Sequence, residues 1–381
     1  MKYMGSKRSM LGNGLGELLA GVLPDKQRFV DLFCGSGAVS AHVAENMQIE
    51  TAAFDLQQYA VTLAQSSLGK IHEIKSKDLW SRWVARAVEW IDEFDVFGDA
   101  VMLSNEAIVV NHKNAVAAVK RARIFCEDLP DKFVISRAYG GYYFSPLQAL
   151  TIDALRASVP RGVSRTSAIA ALIRSASRCS ASPGHTAQPF SLTSTATPHL
   201  ISAWKKDIAQ HTQNEFKNAC ESFALVLGEA NVADAVDATA TLREGDLVFL
   251  DPPYSEVQYS RFYHVLEAIA QGYIGDVSGT GRYPAIEERP QSRFCRTTQS
   301  LEELDRLMIG VAASGAEAIV TFPADQASNG LSGILVEAIS SQYFHIQKRK
   351  ISSSFSTLGG NTRSRAARKQ ATELLLHLTP R

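Results

Sequence analysis

The sequence predicts an α/β protein whose parallel sheet is assembled from both ends of the chain and interrupted by a long, largely helical insertion. Three observations carry this expectation. Strand-like apolar runs alternate with helical segments over residues 1–75 and again from 201 to 381. The run Leu247-Val248-Phe249-Leu250 is continuously apolar, as a parallel strand buried on both faces should be. Between 76 and 200 the texture is different: mostly helical to about 125, then aromatic and rich in Gly, Ser and Thr.

The elements follow in order. A helical segment, Leu11–Leu23, precedes a strand at Arg28–Phe33. The turn Cys34-Gly35-Ser36-Gly37 opens a helix from Ala38 to about Asn46. A second strand, Ile49–Phe54, ends at Asp55, and a helix follows from about Gln57. Trp80, Trp83 and Trp90 fall at helical spacing and read as core. The aromatic run Tyr139 to Phe144 precedes an amphipathic helix near Leu147–Ala157, and Ser175–Pro198 reads as surface loop. After it come a helix over 201–227, a strand over 247–251 and helices over 262–271 and 300–313. A strand over 317–322, a helix over 331–340, a strand over 342–349 and a last strand, Glu373–Leu378, complete the parse.

Length allows about two or three domain-sized units, and a 45 % hydrophobic, 20 % charged composition is that of a soluble globular protein. Cys34, Cys126, Cys179, Cys220 and Cys295 are scattered, odd in number and without a Cys-x-x-Cys pair. A reducing, cytoplasmic setting is therefore expected, with no disulfide framework and no structural metal. No apolar run is long enough to span a membrane, and the charged, interrupted amino-terminal stretch does not read as a signal peptide.

Net charge is zero, yet charge is segregated along the chain. No acid occurs from Ala154 to Lys206, where Arg156, Arg161, Arg165, Arg174, Arg178, Lys205 and Lys206 lie. None occurs from Gln342 to Ala371, which holds Lys348, Arg349, Lys350, Arg363, Arg365, Arg368 and Lys369. Two basic zones on a neutral chain suit a phosphate backbone; a pair of solvated loops is the plainer reading.

Asp251-Pro252-Pro253-Tyr254 closes the apolar run at 247–250. Ligand sites in open α/β sheets lie at the carboxyl ends of strands. An ionised Asp251 accepts hydrogen bonds and cannot donate them, and proline offers a carbonyl at fixed φ with no competing N–H. Tyr254 offers a stacking face worth roughly 1–3 kcal/mol per base. Together they suit a planar base bearing an exocyclic amino group. An ordinary strand-to-turn transition is the plainer reading of the same residues.

Asp31-Leu32-Phe33-Cys34-Gly35-Ser36-Gly37 joins a strand to a helix through two glycines. Asp55, at the end of the next strand, is placed to meet ribose hydroxyls. The third position of a dinucleotide fingerprint is Ser40 rather than glycine, so the loop fits S-adenosylmethionine, which has no pyrophosphate, better than a nicotinamide dinucleotide. Asp31 suits the cationic methionine end of that molecule.

With Met1-Lys2-Tyr3-Met4-Gly5-Ser6-Lys7 and Ala233-Asp234-Ala235 added, the ordered motifs resemble those of the Dam-type (class alpha) adenine-specific DNA methyltransferases. The resemblance covers about 1–60 and 230–380, with a looser match around Tyr143–Ile152. It implies a Rossmann-like, SAM-dependent catalytic domain from 1–75 and 201–381, and a DNA target-recognition region at 76–200. It implies that Tyr3, Lys7, Asp31, Phe33, Gly35, Gly37, Asp55, Asp234 and Asp251 line the cofactor pocket, with Lys7 near the methionine carboxylate. Asp251, Pro252, Pro253 and Tyr254 would hold the target adenine. The segment Gly359-Gly360-Asn361-Thr362-Arg363-Ser364-Arg365 resembles a DNA-facing loop. Ser255, where relatives carry Asn, and Phe322-Pro323-Ala324, where Ser-Tyr is usual, depart from the pattern.

The chemistry these residues serve is direct. An adenine amino nitrogen is a poor nucleophile until Asp251 and the Pro252 carbonyl accept its hydrogens and free its lone pair for in-line attack. No covalent enzyme intermediate and no metal is required, so Cys34 reads as a small turn residue and His264 as a helix residue. The base must be flipped out of the duplex, at a few kcal/mol. Arg161, Arg165, Arg174 and Arg178, with Arg363, Arg365, Arg368 and Lys369, are the expected DNA contacts. Duplex DNA is the expected partner, with a cognate restriction endonuclease or phage-defence subunits beyond it. Cytosine amino-group methylation, RNA base methylation and a non-catalytic DNA-binding role on the same fold remain alternatives.

Overall fold

The computed structural model describes the backbone of residues 7–109, 112–356 and 368–381, and the side chains there except at 112–113, 353–356 and 368–371. Among them seven strands form one sheet: β1 (Arg28–Asp31), β2 (Glu50–Asp55), β3 (Glu229–Val232), β4 (Asp246–Leu250), β5 (Glu317–Pro323), β6 (Phe344–Ser356) and β7 (Arg368–Pro380). Their spatial order is β3-β2-β1-β4-β5-β7-β6. The first five are parallel, and β7 runs antiparallel to both β5 and β6. This is the Rossmann-like sheet the sequence predicts, with its antiparallel pairings at one edge.

Both faces of the central strands are covered, which is why β4 shows no polar alternation. Val30, Val248, Leu250, Val320 and Phe322 enter one core, while Phe29, Leu247, Phe249 and Ile319 enter another. Successive side chains of a strand point to opposite faces, so each strand feeds both. Asp246 opens β4 fully buried and is matched by a two-pronged contact from Arg28, at 3.1 and 2.6 Å.

The described residues group into two compact units. The sheet unit comprises 7–72, 222–259 and 290–381; the second comprises 73–221 and 260–289. The second unit contains the 76–200 read from sequence as the inserted region, together with 201–221 and a return segment after the tetrad, 260–289. Side-chain bonds hold that segment: Thr186 donates to the Phe262 carbonyl at 2.7 Å, and Arg156 donates to those of Ile269 and Ala270.

Within the inserted unit Trp83 is fully buried, donating its indole N–H to the Leu155 carbonyl at 2.8 Å. The first part of the stretch expected as surface loop is interior, whereas most of 191–198 is exposed. Ser175–Cys179 completes the helix Ser164–Cys179, and Ser180, Ala181, Ser182 and Thr186 are buried. Small residues let neighbouring backbone approach, as in the bond from the Ala181 N–H to the Tyr143 carbonyl at 2.8 Å. The helix expected over 201–227 is two helices, Thr197–Trp204 and Ile208–Glu221. The expected helix at Leu11–Leu23 is interrupted at Asn13 and Gly14, where φ turns to +96°.

Candidate active site

The order β3-β2-β1-β4-β5 reverses direction between β1 and β4, the switch point where α/β sheets open a ligand crevice. Asp31 ends β1, and Asp251 directly follows β4. The register pairs Asp31 with Phe249, so the two carboxylates flank the crevice. Burial raises both above the ordinary carboxylate range, Asp31 to about 7, and the Asp251 carboxylate adds to the rise at Asp31.

On the β1 side the glycine turn is built as its residues require. Gly35 has φ +49° and Gly37 φ +71°, in the left-handed region that glycine tolerates. A Cβ on Gly37 would come within 3.0 Å of the Ala64 backbone, so the glycine also permits the turn to close on the helix Gln58–Leu68. Asp55 braces the turn, accepting from Gly35 N–H at 2.9 Å and Gln57 N–H at 3.0 Å. Burial pushes Asp55 up to about 6, with those backbone donors opposing the shift. Asp31 accepts from the Ser40 hydroxyl at 2.5 Å and from Phe33 N–H at 3.2 Å. It is therefore at least as much a brace of the loop as a contact for a ligand. Phe33 packs edge-on against Phe294. Asp234 caps the short helix Ala235–Ala238, accepting from Val236 N–H at 2.9 Å. Cys34 is buried, which pushes its thiol well up and away from nucleophilic use.

On the β4 side Asp251 is gripped through one oxygen. Lys7 Nζ lies 3.0 Å from Oδ1, and the Thr321 hydroxyl donates to Oδ1 at 2.9 Å. Both contacts fall on Oδ1, so among the described residues Oδ2 is the oxygen left for a ligand. Lys7 also lies 3.0 Å from Glu373 Oε2, so one ammonium is shared by two carboxylates. Burial opposes the charge on Lys7, but Asp251 and Glu373 outweigh it and hold the ammonium well above its usual range. Lys7 Nζ also sits 5.8 Å from the centre of the Tyr254 ring.

The two prolines are treated differently. Asn329, fully buried, donates to the Pro253 carbonyl at 2.8 Å and to the Phe294 carbonyl at 2.9 Å, and its own oxygen accepts from Leu331 N–H. Ser328 accepts from Glu256 N–H at 3.1 Å. The loop after β5 thus clamps the tetrad from behind. Tyr254 is half-buried and packs edge-on against Phe322, one of the departures noted above.

The expected site residues are partly assembled. Lys7, Asp31, Phe33, Gly35, Gly37, Asp55, Asp234 and the tetrad all belong to the sheet unit. Lys7 is turned toward Asp251 and Glu373. Tyr3, Arg363 and Arg365 lie outside the described residues. Arg368 and Lys369 are placed by backbone alone, on a β6–β7 ribbon that continues past its last pairing with β5, Pro323 with Glu373. Arg161 is exposed ahead of the helix Ser164–Cys179 and Arg165 is exposed in its first turn, Arg174 is half-buried, and Arg178 pairs with Glu215 at 2.8 Å. Three residues escaped the sequence reading: Thr321, Asn329 and Glu373. Of these only Glu373 carried a signal, an acid heading the apolar run Leu374-Leu375-Leu376.

His264 belongs to the inserted unit. Its ring nitrogens lie 3.2 and 3.0 Å from the Arg261 and Gly281 carbonyls, and burial lowers it to about 3. A neutral imidazole held this way is a packing group.

The fold and this constellation define a class: an α/β enzyme domain with acceptor carboxylates at its switch point and a rigid Asp-Pro-Pro-Tyr loop. The chain matches the D12 class N6 adenine-specific DNA methyltransferases over residues 3–82 and 93–300 and belongs to that family. It is also 23 % identical over 319 residues to Modification methylase LlaI of Lactococcus lactis subsp. lactis. That alignment covers 80 % of this chain and 44 % of the relative, so the chain spans less than half the relative's length. Among the described residues no helix is long and apolar enough to cross a membrane.

Proposed function

We propose that this protein transfers a methyl group from S-adenosylmethionine to the exocyclic amino group of adenine in duplex DNA. The observation that carries the reading is Asp251: Oδ1 is fixed by Lys7 and Thr321, and Oδ2 has no polar contact among the described residues, at the carboxyl end of β4. Family membership supports adenine and DNA as the target. The relative's name, a modification methylase, supports a place in restriction–modification beside a cognate endonuclease. Sequencing modified bases in DNA from cells that express the protein tests this reading. Methylated adenine confined to one sequence context is the expected result; unmodified adenines would contradict it.

The residues present fit the cofactor. The Gly35–Gly37 turn brings backbone close, and Asp55, which braces that turn, is proposed as the acceptor for ribose hydroxyls. The Gln57 side-chain amide nitrogen beside it is buried without a partner among the described residues and suits a ligand acceptor. When bound, S-adenosylmethionine supplies an electrophilic methyl group. The chain's own part is to accept one amino hydrogen at Asp251 Oδ2 and the other at the Pro252 carbonyl, which localises the nitrogen lone pair. Tyr254 stacks on the flipped base and offsets part of the cost of unstacking. Positioning and a fixed negative charge are the main contributions.

Two expectations follow for the cofactor. Asp55→Ala weakens cofactor binding and leaves DNA affinity without cofactor little changed; an unaltered calorimetric dissociation constant would contradict the pocket assignment. Affinity also depends on pH. Asp31 at about 7 and Asp55 at about 6 are partly protonated in mild acid, while a cationic ligand with ribose hydroxyls favours their ionised forms. Binding therefore releases protons, and affinity rises as pH rises through these values. Titrations in buffers of different ionisation enthalpy measure the release, and a flat affinity across that range would count against it.

For DNA, the engagement of Arg178 by Glu215 shifts the proposed base reading toward the exposed Arg161 and Arg165. Arg363, Arg365, Arg368 and Lys369 are proposed to act on phosphates, which position a protein without specifying sequence. Substitutions in this second group are expected to weaken cognate and unrelated DNA alike and to flatten the salt dependence. Replacing a base-reading arginine relaxes site preference at a cost of about 1–3 kcal/mol at the cognate site. Binding isotherms on both DNAs at two salt concentrations separate the groups, and the reverse pattern would reverse the roles.

A further inference from the structure

We propose that Glu373 is a positioning residue for methyl transfer: by sharing the Lys7 ammonium, it lets Lys7 orient Asp251 without cancelling the charge Asp251 presents to the amino group. This inference rests on the methyl-transfer reading above.

Glu373 is 5 % exposed, at a position where β7 otherwise turns apolar, with Leu374, Leu375 and Leu376 buried after it. A buried carboxylate is costly unless paired, and pairs of this kind seldom add net stability. Its presence therefore calls for a reason beyond folding. Lys7, also 5 % exposed, meets Asp251 Oδ1 and Glu373 Oε2 at the same 3.0 Å. A lone Lys7–Asp251 pair would be neutral. With Glu373 the three groups carry a net negative charge, and Asp251 Oδ2 is the end of the array that Lys7 and Thr321 leave open. Positive charge developing on the amino nitrogen is then stabilised by an orientation fixed beforehand. The chain achieves this across its whole length, with Lys7 and Glu373 366 residues apart in sequence.

The charged and titratable groups facing Asp251 are Lys7 ahead of the first helix, Glu373 on β7, Tyr254 on its own loop and Asp31 at the end of β1. Among the first two, Lys7 favours the ionised carboxylate and Glu373 opposes it. Removing the Glu373 charge alone leaves the full weight of Lys7 on Asp251. The acid limb of the rate profile then moves to lower pH while the plateau rate falls. A residue that only held the fold together would lower the melting temperature and leave the acid limb in place.

The test compares Glu373→Gln and Glu373→Asp with the wild-type chain, using labelled S-adenosylmethionine and duplex DNA. Glutamine keeps the shape and an acceptor for Lys7. It is expected to lower kcat roughly ten-fold, the scale of one charge-assisted hydrogen bond, with KM for both substrates little changed. The acid limb moves down in pH, and aspartate restores part of the rate. Wild-type kcat and an unmoved acid limb in Glu373→Gln would overturn the inference. So would a rate loss matched by a lower melting temperature with the acid limb unmoved. If the wild-type chain itself transfers no methyl group, the methyl-transfer reading fails first, an outcome distinguishable from failure of the Glu373 role.

Discussion

Replacing Asp251 by alanine is expected to abolish methyl transfer while the sheet stays folded. The fold tolerates the change because Lys7 keeps Glu373 as a partner at 3.0 Å, so no buried ammonium is orphaned. Thr321 is fully buried and loses its acceptor, a cost of about 1–3 kcal/mol that the sheet is expected to bear. The chemistry has no such reserve. The variant loses both the acceptor for an amino hydrogen and the charge that favours a cationic nitrogen. Removing a single preorganised electrostatic group commonly costs about 10²–10³ in kcat, and here two functions go together. Asp251→Asn should fare little better, since its amide sets a donor where only an acceptor serves. Incorporation of labelled methyl into DNA measures the loss, with circular dichroism to confirm the fold. Near-normal turnover in either variant would sink the amino-group mechanism.

The second large effect is expected at an uncharged residue. Asn329→Leu keeps the volume of the side chain but leaves the Pro253 and Phe294 carbonyls without their donor and Leu331 N–H without its acceptor. Asn329 is fully buried, so water does not replace these bonds readily. Each unmade bond costs about 1–3 kcal/mol, and a total loss of about 3 kcal/mol or more is expected. The same change releases the tetrad from the loop after β5, so kcat should fall although Asp251 is intact. Thermal or urea unfolding gives the stability term, and kcat at saturating substrate gives the positioning term. A variant with wild-type stability and rate would show that the clamp is incidental.

The parts of the site that were legible in the sequence are those encoded locally. A continuous apolar run followed by Asp-Pro-Pro-Tyr marks a buried strand and its end, because pairing on both faces removes polar alternation. Two glycines between a strand and a helix mark a turn that requires positive φ, and Gly35 and Gly37 have it. Asp55 was placed by the same logic, one strand further on. What stayed hidden depends on pairings between distant segments. Lys7 meets Glu373 only because β7 inserts between β5 and β6, a topology that no local pattern announces. Asn329 looks like an ordinary Asn-Gly turn until the Pro253 carbonyl is seen against it. Strand β3 was missed because it is a short edge strand with little burial. The buried 180–187 region was misjudged because Ser and Thr carry low hydropathy, whereas small side chains with satisfied hydroxyls pack well.

The identity of the methylated atom tests the central claim most directly. Purified protein, S-adenosylmethionine labelled in its methyl group and unmodified duplex DNA are incubated, and the DNA is digested to nucleosides for mass spectrometry. The label is expected on N6-methyldeoxyadenosine, absent when Asp251→Ala replaces the wild-type chain. Label on the cytosine amino group, or transfer to RNA and not to DNA, would contradict the account.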